Sequence, residues 1–316
     1  MRTKPKITCL GGGNAMPKVV LSELKKYPVK ISVVCAMLDS GGSSGRLRRD
    51  YNVVSPGDIR RALIALANTS PVVESLFDYR FKFGELAGHH FANLLITALE
   101  LSSNNYEEAL GELKKILNIK HQVLPVTLEK SNLFATLEDG TMVEGETNID
   151  IPKHNGALRI KKIYLRPETR AYPPALKAIR ESDLIVIGPG DLYSSIAQIL
   201  LVKGISESIL KSKAKKIYIC NLMTKYGETN NFSVMDFTNQ IENWLRGELD
   251  FVLYNNFFPK EERFKKFKKE HPELMDMVRV DKRLFSKKFI GKNLIFDEGL
   301  IEHDPEKIAK ILYGLV

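Results

Sequence analysis

A single pattern recurs along this chain and narrows what it can fold into. A short, uninterrupted apolar run ends in glycine or hydroxyl residues, and a helical signal follows at once. Ile7 to Leu10 leads into Gly11-Gly12-Gly13, Ile31 to Leu38 into Asp39-Ser40-Gly41-Gly42, and Leu184 to Ile187 into Gly188-Pro189-Gly190. Runs without polar alternation suit strands covered on both faces, the condition of a parallel sheet between helix layers. The segments between them carry helical spacing. Pro17 suits a first helical turn, where its missing N–H is not needed, and Val20, Leu21 and Leu24 form an apolar stripe. Ile59, Leu63 and Leu66 do the same for a helix predicted from about Asp58 to Ala67, and another is predicted from about His89 to Leu101. Ile217 to Cys220 and Phe251 to Tyr254 are further strand candidates. The expectation is an α/β, three-layer, Rossmann-like fold built on a doubly wound, mainly parallel sheet.

Residues 123–165 change character: short β-prone runs alternate with the turn signals Asp139-Gly140 and Asn155-Gly156. This predicts a β-hairpin-rich insertion within one α/β domain spanning 1–316. At 316 residues the chain is long enough to bury a full core. Its apolar runs are far shorter than the roughly 20 residues that span a bilayer. Arg2, Lys4 and Lys6 are followed by only Ile7 to Leu10 before glycines begin, which predicts no signal peptide and a cytoplasmic location. Cys9, Cys35 and Cys220 lie far apart inside apolar runs, so buried, reduced thiols are expected and a zinc site is not. The net charge of +9 comes largely from Lys211 to Lys216 and Lys260 to Lys269. Both runs carry or flank acidic residues and no nucleic-acid motif accompanies them, so a solvated helix face is the expectation and nucleic acid is not the expected partner.

In open parallel sheets, ligands bind beyond the carboxyl ends of the strands. Four loops predicted at such ends have unusual composition. Gly11, Gly12, Gly13 and Asn14 let the backbone approach a phosphate at a helix start, although the same residues also make a plain tight turn. Asp39, Gly41, Gly42, Ser43, Ser44 and Arg46 offer hydroxyls, glycines and a guanidinium to a phosphate or sugar. Asp39 there is a candidate for a ribose hydroxyl or for Mg2+, and the competing reading is a mobile Gly/Ser loop. Gly57, Asp58 and Arg60 open a helix. Asp58 there reads equally as a cap, while Arg60 opposes the helix dipole unless an anion is near. Gly188, Pro189, Gly190, Ser194 and Ser195 form the fourth loop. His89 and Asn93 add two polar groups four residues apart at another helix start. No nucleophile–base–orienter triad emerges, which favours a binding protein. An enzyme reading would use Asp39, Asp58, Arg60 and His89 to stabilise a transferred phosphorus group, with Mg2+.

These loops together resemble the gluconeogenesis-factor family, relatives of 2-phospho-L-lactate transferase. The matching stretches are GGGN (11–14), DSGGSSGRLRRD (39–50), SPGDIRRALIALA (55–67) and AGHHFANLLITAL (87–99). LPVTLEKSNLFATLEDGTMVEGETNI (124–149), IGPGDLYSSI (187–196), CNLMTKYGETNNFSV (220–234) and, more weakly, HDPEKIAK (303–310) also match. The resemblance implies a nucleotide-sugar-binding regulator, typically of UDP-N-acetylglucosamine, that serves gluconeogenic growth, cell-envelope synthesis and cell shape. It adds Asn221 and Thr224 to the expected ligand-binding residues. The transferase relatives imply the alternative, movement of a phospholactyl-type group onto a deazaflavin with magnesium. A homodimer is compatible with either. The chain departs from the family pattern at Ala15, Ser40, Ala92, Phe264 (in Arg263-Phe264, where the family tends to show Arg-Tyr) and Glu302, and 256–316 is the more divergent segment. Glu302 reverses the charge of an arginine expected near a diphosphate, and Phe264 lacks a tyrosine hydroxyl.

Overall fold

The apolar runs pair as parallel strands because each can bury both of its faces. The computed structural model describes residues 4–103, 105–282, 284 and 286–316. Twelve strands are described there: β1 (Lys6–Leu10), β2 (Lys30–Cys35), β3 (Gln122–Pro125), β4 (Asn132–Leu137), β5 (Met142–Glu144) and β6 (Ile160–Arg166), then β7 (Leu184–Ile187), β8 (Lys215–Ile219), β9 (Met223–Lys225), β10 (Phe251–Asn255), β11 (Leu274–Met277) and β12 (Phe289–Lys292). Seven form one parallel sheet in the order β12-β10-β8-β7-β1-β2-β3. Every residue of the central strand β7 is buried, whereas edge strand β12 is half-exposed. In β1, Ile7 pairs with Ile31 on one side and Leu184 on the other, so the two halves of the sheet diverge from β1 and β7.

Right-handed crossovers leading in opposite directions from that point place helices on opposite faces. On one face Met16–Leu21 continues into Ser22–Leu24 and packs against Gly57–Leu66 and Pro305–Tyr313. On the other, Ile205–Lys211 packs against Pro173–Arg180 and Val234–Leu245. The result is the three-layer Rossmann-like fold that the strand pattern predicts. Capping follows the local chemistry. Ser233 and Asp236 form a reciprocal box at the start of Val234–Leu245. Asp304 accepts N–H groups from Glu306 and Lys307, with Pro305 at the first helical position.

The β-rich region differs in its boundary from the predicted 123–165. β3 pairs in parallel with β2 and belongs to the main sheet; the separate antiparallel sheet, ordered β5-β4-β6, covers 132–166. The Gly/Ser stretch also differs from a loop. From Gly42 to Tyr51 it is helix, because Gly41 supplies the extended N-cap and Gly45 lets that turn pack against the Ser40 carbonyl. The main core is one continuous cluster of buried side chains. A second, smaller cluster joins Leu222, Met223, Phe267, Ile295 and Ile301, where β9, β11 and the helix Glu261–Glu270 meet. The three cysteines are free and buried, and burial pushes the Cys9 thiol up to about 12. No helix among the described residues is long and apolar enough to cross a membrane.

Candidate functional site

Divergence of the sheet at β1 and β7 opens a crevice at their carboxyl ends, and the glycine loops line it. Both helices entering it begin with a wide i→i+5 turn, Met16–Leu21 on one side and Leu192–Ile196 on the other. Such turns are frequent at functional sites. The crevice holds two chambers. The larger, about 790 Å³, is lined by Gly12, Gly13, Asn14, Ala15, Lys18, Ile64, Ala65, Pro189, Gly190, Asn221, Leu222, Met223, Phe267, Ile301, Glu302 and His303, among others. The smaller, about 330 Å³, is lined by Asp39, Gly41, Gly42, Ser43, Ser44, Gly57, Asp58, Arg80, His90, Asn93, Glu146 and Asp150, among others. They share Gly13, Asn14, Arg60, Arg61, Asp191 and Ser195.

Asp58 organises the first glycine loop. Its Oδ1 accepts the Gly13 N–H at 2.9 Å and an Arg61 Nη1–H at 2.5 Å. A Cβ on Gly12 would stand 2.1 Å from Asp58 Oδ2, so only glycine allows this approach. Asp58 thus binds across the cleft, which a simple helix cap would not do, and it occupies one N–H of the glycine loop that is then closed to an anion. Burial raises its pKa, with Arg61 pulling the other way. Arg60 is buried and pairs with Asp78 at 2.6 Å, which answers its unfavourable place in a first helical turn; its Nε has no partner. The two guanidiniums stand where the chambers join.

Ser43 draws His89 and Asn93 together. Asn93 Nδ2 donates to Ser43 Oγ at 3.1 Å, and Ser43 Oγ shares a hydrogen bond with His89 Nδ1 at 3.0 Å. Burial and then Arg46 lower the His89 pKa, which favours a neutral ring. His89 itself stands behind the smaller chamber, and His90 faces it. Several other expected residues also support the walls without lining them. Gly11 packs on Met16, and Gly188 carries a positive φ beneath Pro189. Arg46 donates to the Ala87 carbonyl. Thr224 joins β9 to β11 through the Asp276 backbone. Ser194 donates to Glu228 and Asp150, leaving Ser195 to face both chambers.

The departures from the family pattern have local accounts. Glu302 pairs with Lys18 at 2.5 Å on the rim of the larger chamber, so its charge is met within the chain. Phe264 packs against the small cluster and against the exposed Phe258 ring. Ser40 Oγ donates to Thr147 Oγ1 and accepts the Thr147 N–H, tying the insertion to this loop. Ala92 is fully buried in its helix, and Ala15 lines the larger chamber.

Sequence reasoning passed over a charged cluster at the floor of the crevice. Lys225 bonds to Asp150, to Asp191 at 3.1 Å and to Glu228 at 3.2 Å. Burial opposes the lysine's charge, but Glu228, Asp191 and Asp150 outweigh it and raise its pKa. Glu228 is itself raised by burial and Asp191, while it accepts the N–H groups of Tyr193 and Ser194. These three carboxylates have the spacing of a metal site, but the ammonium already fills the cation's place. Also lining the smaller chamber, Glu146 is pushed up to about 8 by burial and then by Asp39 and Asp150. Arg61 was also missed, although its spacing of three from Asp58 is a sequence signal for a helical ion pair.

Known proteins resemble this chain over nearly its whole length. The family model for the 2-phospho-L-lactate transferase CofD matches residues 7–295. The gluconeogenesis factor of Bacillus subtilis is 38% identical over 100% of this chain and 99% of its own length. That of Listeria innocua is 38% identical over 99% of this chain and 96% of its own. A crystal structure of a UPF0052-family protein from Bacillus halodurans superposes with a TM-score of 0.90 at 35% identity, covering 98% of this chain and 99% of that one.

Proposed function

The chain belongs to the gluconeogenesis-factor family related to CofD, and on that premise we propose that its crevice binds a UDP-sugar of the UDP-N-acetylglucosamine type as a cytoplasmic regulatory ligand. The observation that carries this reading is the pair of unlike chambers joined at two arginines. The larger is walled by Ile64, Leu222, Met223, Phe267 and Ile301, which suit the faces of a flat base. The junction offers Arg60, Arg61, Asn14 and Ser195 to a diphosphate. The smaller chamber is rich in carboxylates, which accept hydrogen bonds from sugar hydroxyls. The relatives' name supports a role in gluconeogenic growth, and an N-acetylhexosamine ligand would connect that role to envelope synthesis and cell shape.

Magnesium fits the donor set. Asp39, Asp58 and Glu146 all line the smaller chamber, and Glu146, whose pKa is raised by burial and then by Asp39, would give up its proton to a cation bound there. Because Asp58 is engaged by Gly13 and Arg61, Asp39 and Glu146 are the groups that would hold the ion. Bound there with phosphate oxygens, it would neutralise part of the ligand's charge. The same carboxylates also give the phosphorus-group transferase reading its support, alongside the family model's name.

A thermal-shift panel with UDP-N-acetylglucosamine, UDP, GDP and a deazaflavin, each with and without Mg2+, tests the proposal. A ligand at a hundred times its Kd adds about 2.7 kcal/mol of stability. A shift with the UDP-sugar supports a sensor. A shift with only GDP or the deazaflavin overturns it in favour of the transferase reading.

A further inference from the structure

One arginine outside the crevice makes an unusual set of contacts. Arg263, on the helix Glu261–Glu270, donates to four backbone carbonyls of a single turn. Nε reaches Gly299 O at 2.8 Å and Nη1 reaches Asp297 O at 3.1 Å, while Nη2 reaches Phe296 O at 3.0 Å and Leu300 O at 2.6 Å. A guanidinium can satisfy several carbonyls at once because its donors lie in a fixed plane, which a lysine ammonium cannot reproduce. The turn it holds continues into Ile301, Glu302 and His303, all of which line the larger chamber. The base of this hairpin is closed by the Ile295–His303 bridge, and Lys307 donates to Ile295 O at 2.7 Å. The helix bearing Arg263 also sends Phe267 into the same wall. This wall rests on the small cluster of Leu222, Met223, Phe267, Ile295 and Ile301, separate from the main core, so its shape depends on few contacts.

We infer that Arg263 is a positioning residue for nucleotide recognition: it fixes the 296–300 turn so that Ile301, Glu302 and His303 meet the base opposite the first helix. This rests on the UDP-sugar reading of the crevice. The wall lies on the base side, remote in sequence from the Gly13, Asn14, Arg60 and Arg61 junction. Loss of Arg263 should therefore weaken recognition of a nucleotide far more than recognition of its phosphates.

The test uses the full chain with Arg263→Ala and Arg263→Lys, titrated with UDP and, separately, with pyrophosphate, and followed by amide hydrogen exchange. The expected result is at least a tenfold loss of UDP affinity in Arg263→Ala. Pyrophosphate affinity should stay within about twofold, and exchange should accelerate chiefly in 294–303. Arg263→Lys should recover only part of the UDP affinity, and it serves as the main variant if Arg263→Ala does not fold. Equal weakening of both probes, or unchanged UDP affinity, overturns the inference. If the unmodified protein binds no UDP or UDP-sugar, the proposed function fails and the inference falls with it. If the unmodified protein binds and Arg263→Ala binds equally well, only the inference fails.

Discussion

The contact between Gly12 and Asp58 permits a direct energetic test. In Gly12→Ala the new Cβ would lie 2.1 Å from Asp58 Oδ2 and 3.1 Å from its Cγ, so the carboxylate has to move. Moving it gives up the Gly13 N–H bond at 2.9 Å and the Arg61 contact at 2.5 Å. Each hydrogen bond to a charged group is worth about 1.5–3 kcal/mol, and partial re-pairing of a half-buried Arg61 offsets some of the loss. A destabilisation of about 3–4 kcal/mol follows. With an unfolding entropy of about 2.1 cal/mol/K per residue over 316 residues, this is a fall in Tm of about 5–6 °C. The assay is urea unfolding of a double-mutant cycle: wild type, Gly12→Ala, Asp58→Ala and the pair. Without the carboxylate, the next neighbour of that Cβ is Ala36 Cβ at 3.3 Å, a contact that small adjustments relieve. Gly12→Ala should thus cost little in the Asp58→Ala background, leaving a coupling of at least about 2 kcal/mol. Strict additivity, or a Gly12→Ala Tm within 1 °C of wild type, would refute the idea that this carboxylate dictates the glycine.

Three further outcomes are expected. Glu146 binds its proton more tightly in the fold than in the unfolded chain, because its pKa is pushed from 4.5 up to about 8. The stability it contributes is therefore full below about pH 4.5 and is lost as pH rises through about 8; Glu146→Gln should flatten that decline, and parallel urea midpoints from pH 5.5 to 8.5 would contradict this. Asp304→Ala removes the acceptor for the Glu306 and Lys307 N–H groups and should cost about 1 kcal/mol, read as a small drop in urea midpoint at constant m. Cys9, Cys35 and Cys220, each at most 1% exposed and with raised thiol pKa, should resist a thiol reagent in buffer and react fully in denaturant.

The main sheet was legible because apolar runs without alternation have few alternatives. The predicted strand from Leu184 to Ile187 is β7 residue for residue, and the predicted helix from Asp58 to Ala67 is Gly57–Leu66. β12 was not legible, since Phe289-Ile290-Gly291-Lys292 is a short, half-exposed edge strand with a glycine inside. Glycine-rich composition pointed to the crevice, but it does not tell a lining residue from a support. Gly12 and Gly188 sit in similar strings, and only distances separate their roles. Lys225 and Glu228 are three residues apart, but Asp150 and Asp191 come from distant segments that topology alone brings to them. Arg263 stood out only as part of a family dipeptide; its hold on the 296–300 turn was hidden, because its partners are backbone carbonyls, which leave no residue signature.

The central claim, that a UDP-sugar spans both chambers with its diphosphate at the arginine junction, is tested most directly by hydrogen exchange with and without saturating UDP-N-acetylglucosamine. The account predicts joint protection of 11–24, 57–66, 189–196 and 221–225, together with 301–303 on the base side and 39–46 and 146–150 on the sugar side. Protection confined to the lysine-rich helix 261–270, or none in 11–24 and 57–66, would contradict it.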